Sequence, residues 1–112
     1  MAPAIVRTTL FSTPLAPAKL AAWIESQRID FGPGQRSPLH QHPCPVFGTI
    51  VSGSCLFEVE GQPARTLKAG DAFYEPAGVR VPHFDNASAT EGMRFIAFYL
   101  LGSETEGKVE IL

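Results

Sequence analysis

Short apolar segments, separated by glycine, proline and polar residues, run along most of the chain. Segments of this length, with turn residues about every 8–12 positions, are typical of the strands of a β-sandwich or barrel. The predicted strands are Ala4–Leu10, Ile24–Phe31, Val46–Ser52, Cys55–Glu60, Ala64–Lys68, Asp71–Glu75 and Met93–Leu101. The pattern therefore predicts an all-β protein.

Two places allow a finer prediction. The segment Cys55–Glu60, followed by Gly61-Gln62 and a further apolar segment, is typical of a β-hairpin. The stretch from residue 13 to residue 27 is ambiguous, since a Thr-Pro pair could open a helix and four residues have helical spacing, namely Leu20, Trp23, Ile24 and Gln27. We favour a strand that ends at Phe31, with a short turn or helix before it.

The last long segment, Arg94–Leu101, is apolar at both alternating sets of positions. One face of such a strand can fill a barrel, and the other face must be covered as well. The segment therefore predicts either a packed neighbouring sheet or a homodimer.

Composition and charge narrow the function. The chain has 112 residues, of which 45% are hydrophobic and 18% charged, as expected for one globular domain. A formal net charge of −2 and scattered Lys and Arg residues offer no basic stripe for nucleic acid. No apolar run is long enough to span a bilayer, and the first residues lack the pattern of a secretion signal. We expect a cytoplasmic protein with no nucleic-acid or membrane partner.

His40 and His42 are the most informative residues of the sequence. In an extended strand alternate side chains leave the same face, so the two imidazoles point to one place while Gln41 points away. Two neutral imidazoles are a good start on a transition-metal site, although such a pair also arises by chance. Cys44 lies two residues further on, between two prolines, where a fixed loop is a better interpretation than a thiolate ligand.

Two motifs give the chain a family resemblance. The first runs from Gly34 through His40-Gln41-His42 to Gly53, and the second from Gly70 through Gly78 to His83 and Asn86. Together, in this order and separated by a hairpin, they resemble the two motifs of the cupin superfamily, at residues 34–53 and 70–86. The resemblance implies one cupin domain over residues 1–112, folded as an antiparallel conical β-barrel or jelly roll, the double-stranded β-helix, with an interior cavity.

The sequence departs from the usual metal-binding cupin pattern at two positions. The glutamate of the first motif is replaced by Val46, and the histidine of the second motif is replaced by Val81. The resemblance then implies a metal site formed by His40, His42 and His83, with His83 reached either by a longer turn or by a slip of two residues. Glu75 is an alternative third ligand, but a solvated or rim carboxylate is the role that we expect for it.

Three-histidine iron sites in cupins serve in oxygen-dependent cleavage of thiols and diketones. The resemblance therefore implies a divalent metal, with iron first and nickel, manganese or zinc as alternatives, and a small anionic or enolisable substrate for a dioxygenase-like enzyme. Open coordination positions suit isomerisation or hydrolysis too. The alternative is a metal-free, ligand-binding or structural barrel without catalysis, which the valines at the usual ligand positions support.

Aromatic residues are candidates for lining the pocket over the metal, although such residues in a small barrel also form the core. The predicted ligand-binding residues are Phe47, Phe73, Phe84, Phe98 and Tyr99. Arg80 and Arg94 could pair with an anionic substrate, but a solvated rim charge is the better interpretation of Arg94.

Overall fold

The computed structural model describes residues 3–112, which form nine β-strands and no helix. The strands are β1 (Trp23–Phe31), β2 (His40–Gln41), β3 (Val46–Ser52), β4 (Ser54–Glu58), β5 (Arg65–Lys68), β6 (Ala72–Glu75), β7 (His83–Asn86), β8 (Met93–Leu101) and β9 (Glu110–Ile111). Within this range no helix has the length and apolarity needed to cross a membrane.

The strands form antiparallel sheets that enclose one core. A four-stranded sheet has the order β1-β8-β3-β6, a three-stranded sheet has the order β5-β4-β7, and β2 pairs with β9. The predicted all-β jelly-roll architecture is confirmed. The predicted β-hairpin is also confirmed, and it is formed by β4 and β5.

Phenylalanine rings from facing sheets fill the centre of the fold. Phe84 on β7 lies 4.5 Å from Phe95 on β8 and 5.0 Å from Phe73 on β6, measured between ring centroids. These rings are nearly free of solvent contact, so they contribute the apolar burial that stabilises a domain of this size. Their contacts join the larger two sheets.

One close approach in the large sheet depends on a glycine. Gly48 on β3 lies opposite Phe73 and Ala97. A Cβ atom at this position would lie 2.8 Å from the Phe73 ring and still closer to the Ile96 carbonyl oxygen. Only glycine fits here, because every other residue has a Cβ atom that would overlap both neighbours.

The predicted strand Ala4–Leu10 is wrong, since this segment forms no strand and has no sheet partner. The chain instead runs over the outside of the large sheet, where Phe11 packs against Tyr74 at 6.0 Å and Phe47 at 6.4 Å between ring centroids. Ile5, Val6 and Leu10 are themselves exposed, so the apolar residues of this segment do not indicate a buried strand. The ambiguous stretch contains no helix, and the favoured strand is confirmed as β1, which ends at Phe31.

Successive side chains of β8 alternate between the inside of the barrel and its outer face. Met93, Phe95, Ala97, Tyr99 and Leu101 are buried inside the barrel, whereas Phe98 on the outer face is 37% exposed. The N-terminal segment covers part of this outer face through Phe11. The homodimer stays a prediction.

Candidate metal centre

His40 begins strand β2 and His42 follows directly after it, and both residues line the interior cavity of the barrel. His40 pairs with Ile111 on β9 and forms an isolated bridge with Val81, so the backbone here is held from two sides. The two imidazoles are buried, at 7% and 6% exposure, and their centroids are 5.0 Å apart. The alternation of an extended segment has brought both rings to one side.

Backbone carbonyls fix the orientation of both rings. His40 Nδ1 lies 2.8 Å from the Pro38 carbonyl oxygen, and His42 Nδ1 lies 2.6 Å from the Lys108 carbonyl oxygen. A carbonyl can only accept, so each Nδ1 carries the hydrogen and donates it. In a neutral imidazole the lone pair is then on Nε2, which is the arrangement that metal-binding histidines use.

Glu75, at the end of β6, supplies a carboxylate beside the two rings. It is 3% exposed and is the cross-strand partner of Val46 on β3. One ligand atom from each of His40, His42 and Glu75 can be chosen so that all three lie within 4.8 Å of one another. Two imidazoles and one carboxylate with open positions form a common donor set for iron.

The contact between His42 and Glu75 requires a cation. His42 Nε2 and Glu75 Oε2 are 2.5 Å apart, yet Nε2 makes no aligned hydrogen bond. A lone pair and a carboxylate oxygen this close repel each other unless a proton lies between them or a metal ion binds to both. Burial lowers the pKa of His42, but contact with Glu75 outweighs it and raises this pKa above the ordinary value. The residues present therefore fit a metal ion.

The structure does not bring His83 to this group. His83 lies on β7, where its neighbour Phe84 lines the cavity, so alternation turns His83 to the outer face. Its side chain is 40% exposed, and its Nδ1 lies 2.8 Å from Asp85 Oδ2. Glu75 stands beside the histidines instead, and the expectation of a solvated rim carboxylate is wrong.

Valines occupy the positions where the resemblance expects ligands. Val46 lies next to Glu75, and Val81 lies next to His40, and both are almost completely buried. They form apolar walls of the centre. The sequence alone could not place Glu75 on the inner face of the barrel, because this depends on the register of β3 and β6. In that register Glu75 is the cross-strand partner of Val46.

A cavity of about 270 Å³ opens beside the three candidate ligands. Of the predicted ligand-binding residues, Phe73, Phe84 and Tyr99 line it. Phe47 and Phe98 do not, because they are cross-strand partners on the outer face, where their rings stack at 5.3 Å. The prediction is corrected for these two residues by the alternation of β3 and β8.

Tyr99 and Gln27 are the polar groups on the wall formed by β1 and β8. The Tyr99 hydroxyl donates a hydrogen bond to Gln27 Oε1 at 3.1 Å, and the rings of Tyr99 and His42 are 6.3 Å apart. Burial and the charge of Glu75 raise the pKa of Tyr99 to about 12. Tyr99 is therefore a neutral phenol near neutral pH. Sequence reasoning identified Tyr99 but missed Gln27.

No lysine or arginine of residues 3–112 lines this cavity. Arg94 pairs with Asp30 at 2.7 Å and is half-exposed, which confirms its interpretation as a rim charge. Arg80 is exposed on a loop outside the cavity. An anion that enters would therefore meet the candidate metal centre as its main positive charge.

Comparisons with known proteins agree with this architecture. Dimethylsulfoniopropionate lyase DddQ from Ruegeria pomeroyi is 33% identical over 93 residues, covering 83% of this chain and 42% of that protein. A cupin-like protein from Thermotoga maritima is 28% identical, with a TM-score of 0.65 over 80% of this chain and 64% of the other. Oxalate oxidase in complex with the substrate analogue glycolate gives a TM-score of 0.67 at 22% identity, over 80% and 46% of the two chains, a likeness of fold alone.

The chain spans less than half the length of the lyase and of the oxalate oxidase. The family model described as the cupin domain matches residues 27–99, from the middle of β1 to near the end of β8. This match includes all three candidate ligands and most of the barrel. The chain therefore belongs to the cupin family.

Proposed function

We propose that this cupin is a metal-dependent enzyme that holds a divalent ion with His40, His42 and Glu75 and acts on a small carboxylate. The observation that carries the proposal is the convergence of two buried, oriented imidazoles and one buried carboxylate beside a cavity. The bound metal would supply Lewis acidity and, for iron, redox chemistry.

Charge and shape favour a small anion. A divalent ion with two neutral imidazoles and one carboxylate leaves one positive charge, which one anionic head group neutralises. The cavity of about 270 Å³ lies at the small end of the range for ligand sites. Phe31, Phe73 and Phe95 give the rest of the ligand an apolar environment.

The name of one relative supports the same substrate class. Dimethylsulfoniopropionate, which appears in the name of the lyase at 33% identity, is a small carboxylate. We propose oxygen-dependent, dioxygenase-like chemistry first, because two histidines and one carboxylate are typical of non-haem iron oxygenases. Elimination is the second candidate, because the relative at 33% identity is named a lyase. Oxygen consumption with candidate carboxylates separates the two.

Metal content tests the centre itself. The purified protein, prepared without chelator, should contain near-stoichiometric iron, nickel, manganese or zinc, and Glu75→Gln and His42→Ala should lose it. His83→Ala is the matched control, since it removes a histidine that faces away from the cavity. Loss of metal in His83→Ala but not in Glu75→Gln would contradict the assignment and restore the three-histidine set.

A metal-free ligand-binding barrel is the alternative that Val46 and Val81 support. In that case metal content stays below about a tenth of an equivalent, and saturating metal does not raise the melting temperature, because a ligand that binds only the folded state must stabilise it. The enzyme proposal would then fall, and small-molecule binding without metal would replace it.

A further inference from the structure

We propose that Tyr99 selects ligands that carry a hydroxyl or amino group next to the metal-binding carboxylate, because Tyr99 offers the cavity a hydrogen-bond acceptor. The inference rests on the proposed function, since it concerns the ligand of the same metal centre. It follows from the direction of a chain of hydrogen bonds along the wall of the cavity.

The chain of hydrogen bonds begins at Glu25 on β1. Lys108 Nζ lies 3.6 Å from Glu25 Oε1, and Gln27 Nε2 donates a hydrogen bond to Glu25 Oε2 at 2.8 Å. An ionised carboxylate accepts and never donates, so the NH₂ group of Gln27 must face Glu25. The carbonyl oxygen Oε1 of Gln27 then faces the other way, towards Tyr99.

The orientation of Gln27 determines what Tyr99 can do. The phenol has one hydrogen, which it donates to Gln27 Oε1 at 3.1 Å. Its remaining lone pairs accept hydrogen bonds. A ligand atom that meets this oxygen must therefore donate.

Register places this acceptor beside the metal centre. Glu25, Tyr99, Val46 and Glu75 are successive cross-strand partners over β1, β8, β3 and β6. Side chains in such a row share a face, so Tyr99 and Glu75 point into one cavity with only Val46 between them. A ligand whose carboxylate were held by the metal would occupy the cavity that Tyr99 lines. A hydroxyl or amino group there gains a hydrogen bond, whereas a second carboxylate presents an acceptor to an acceptor.

The test compares lactate with propionate, which differ by one hydroxyl group. Both are titrated into the Co²⁺-loaded protein, and the d–d absorption bands report binding. The ratio of the two affinities is measured in the unchanged protein, Tyr99→Phe, Gln27→Leu and Tyr74→Phe. Tyr74 is the matched control because it lies on the outer surface against Phe11. Chelation of the metal by the lactate hydroxyl is the same in all four proteins and cancels from the comparison.

We expect Tyr99→Phe to lower the lactate-to-propionate ratio about 3- to 10-fold, as for the loss of one neutral hydrogen bond. Gln27→Leu should lower it too, because the freed phenol can turn its hydrogen to the cavity, and Tyr74→Phe should leave it unchanged. An unchanged ratio in Tyr99→Phe, with intact Co²⁺ bands, would overturn this inference alone. A preference kept in Gln27→Leu but lost in Tyr99→Phe would overturn the assigned direction. Absence of Co²⁺ bands in the unchanged protein would overturn it together with the proposed function.

Discussion

Val46 on β3 and Glu75 on β6 are direct cross-strand partners whose side chains both point into the barrel. Val46 occupies the position where metal-binding cupins resembling this chain usually have glutamate. The carboxylate beside the histidines therefore comes from the neighbouring strand, at the same level of the barrel. Because neighbouring strands are about 4.8 Å apart, a glutamate side chain can reach the same ion from either position.

This relationship predicts that the carboxylate can be moved back. Glu75→Val should weaken metal binding by more than about 100-fold, since loss of a ligand exceeds the 10- to 100-fold cost of losing an outer-sphere partner. Adding Val46→Glu to Glu75→Val should recover at least about tenfold of the loss. The measurement is competition against a chelator of known affinity. The single variant Val46→Glu, which places two carboxylates at one centre, completes the double-mutant cycle. If metal affinity did not recover in the double variant, positions 46 and 75 would not be interchangeable as sources of the carboxylate.

The last residues of the chain should control metal affinity through His42. The Lys108 carbonyl accepts the Nδ1 hydrogen of His42, and β9 pairs with β2 beside it. A chain that stops after Gly107 loses this acceptor, so its metal affinity should fall about 10- to 100-fold. Lys108→Ala is the control because it removes the side chain and keeps the carbonyl, and its affinity should match that of the unchanged protein. Equal affinity in the truncated chain, with a retained fold by circular dichroism, would contradict this role.

The large sheet should not tolerate a methyl group at Gly48. A Cβ atom there meets the Phe73 ring at 2.8 Å and the Ile96 carbonyl, neither of which can move without disturbing the sheet. We expect Gly48→Ala to lower the free energy of unfolding by about 3 kcal/mol or more, as overpacking in a core does at its upper range. Gly32→Ala is the matched control, because its nearest neighbour would be the Gln35 side chain at 3.9 Å. Urea unfolding measures the free energy of unfolding of both variants. Equal values would show that the sheet can adjust to a methyl group at position 48.

The sequence was informative wherever a local rule decides the structure. Alternation brought His40 and His42 together, and the turn at Gly61, with φ of +89°, closes the predicted hairpin. It failed where the outcome depends on pairing between distant segments. Glu75 joins the centre only because β3 pairs with β6, and Lys108 orients His42 from a distance of 66 residues along the chain. Phe95 and Phe98 are chemically identical, and only the register of β8 shows that Phe95 points into the barrel and Phe98 points outwards.

The buried thiol of Cys55 should make the protein less stable in alkali. Burial raises the pKa of Cys55 to about 12 from an ordinary value of 9.0, and the residue has no exposed surface. Between these values the unfolded chain releases the thiol proton while the folded protein keeps it. The folded state then binds more protons, so stability is full below pH 9 and falls as the pH rises, by up to about 1.4 kcal/mol per pH unit.

Urea unfolding at pH 8, 9 and 10 measures this loss, and Cys55→Val is the matched variant because it keeps an apolar side chain of similar size. The pH range stops at 10 because Tyr99, whose pKa is also raised to about 12, adds the same sign of effect above its ordinary value of 10.0. Burial raises the pKa of Cys44 too, so some alkaline loss should remain in the variant. We therefore expect a shallower decline in Cys55→Val than in the unchanged protein. Parallel declines would show that the Cys55 thiol ionises as readily inside the barrel as in the unfolded chain.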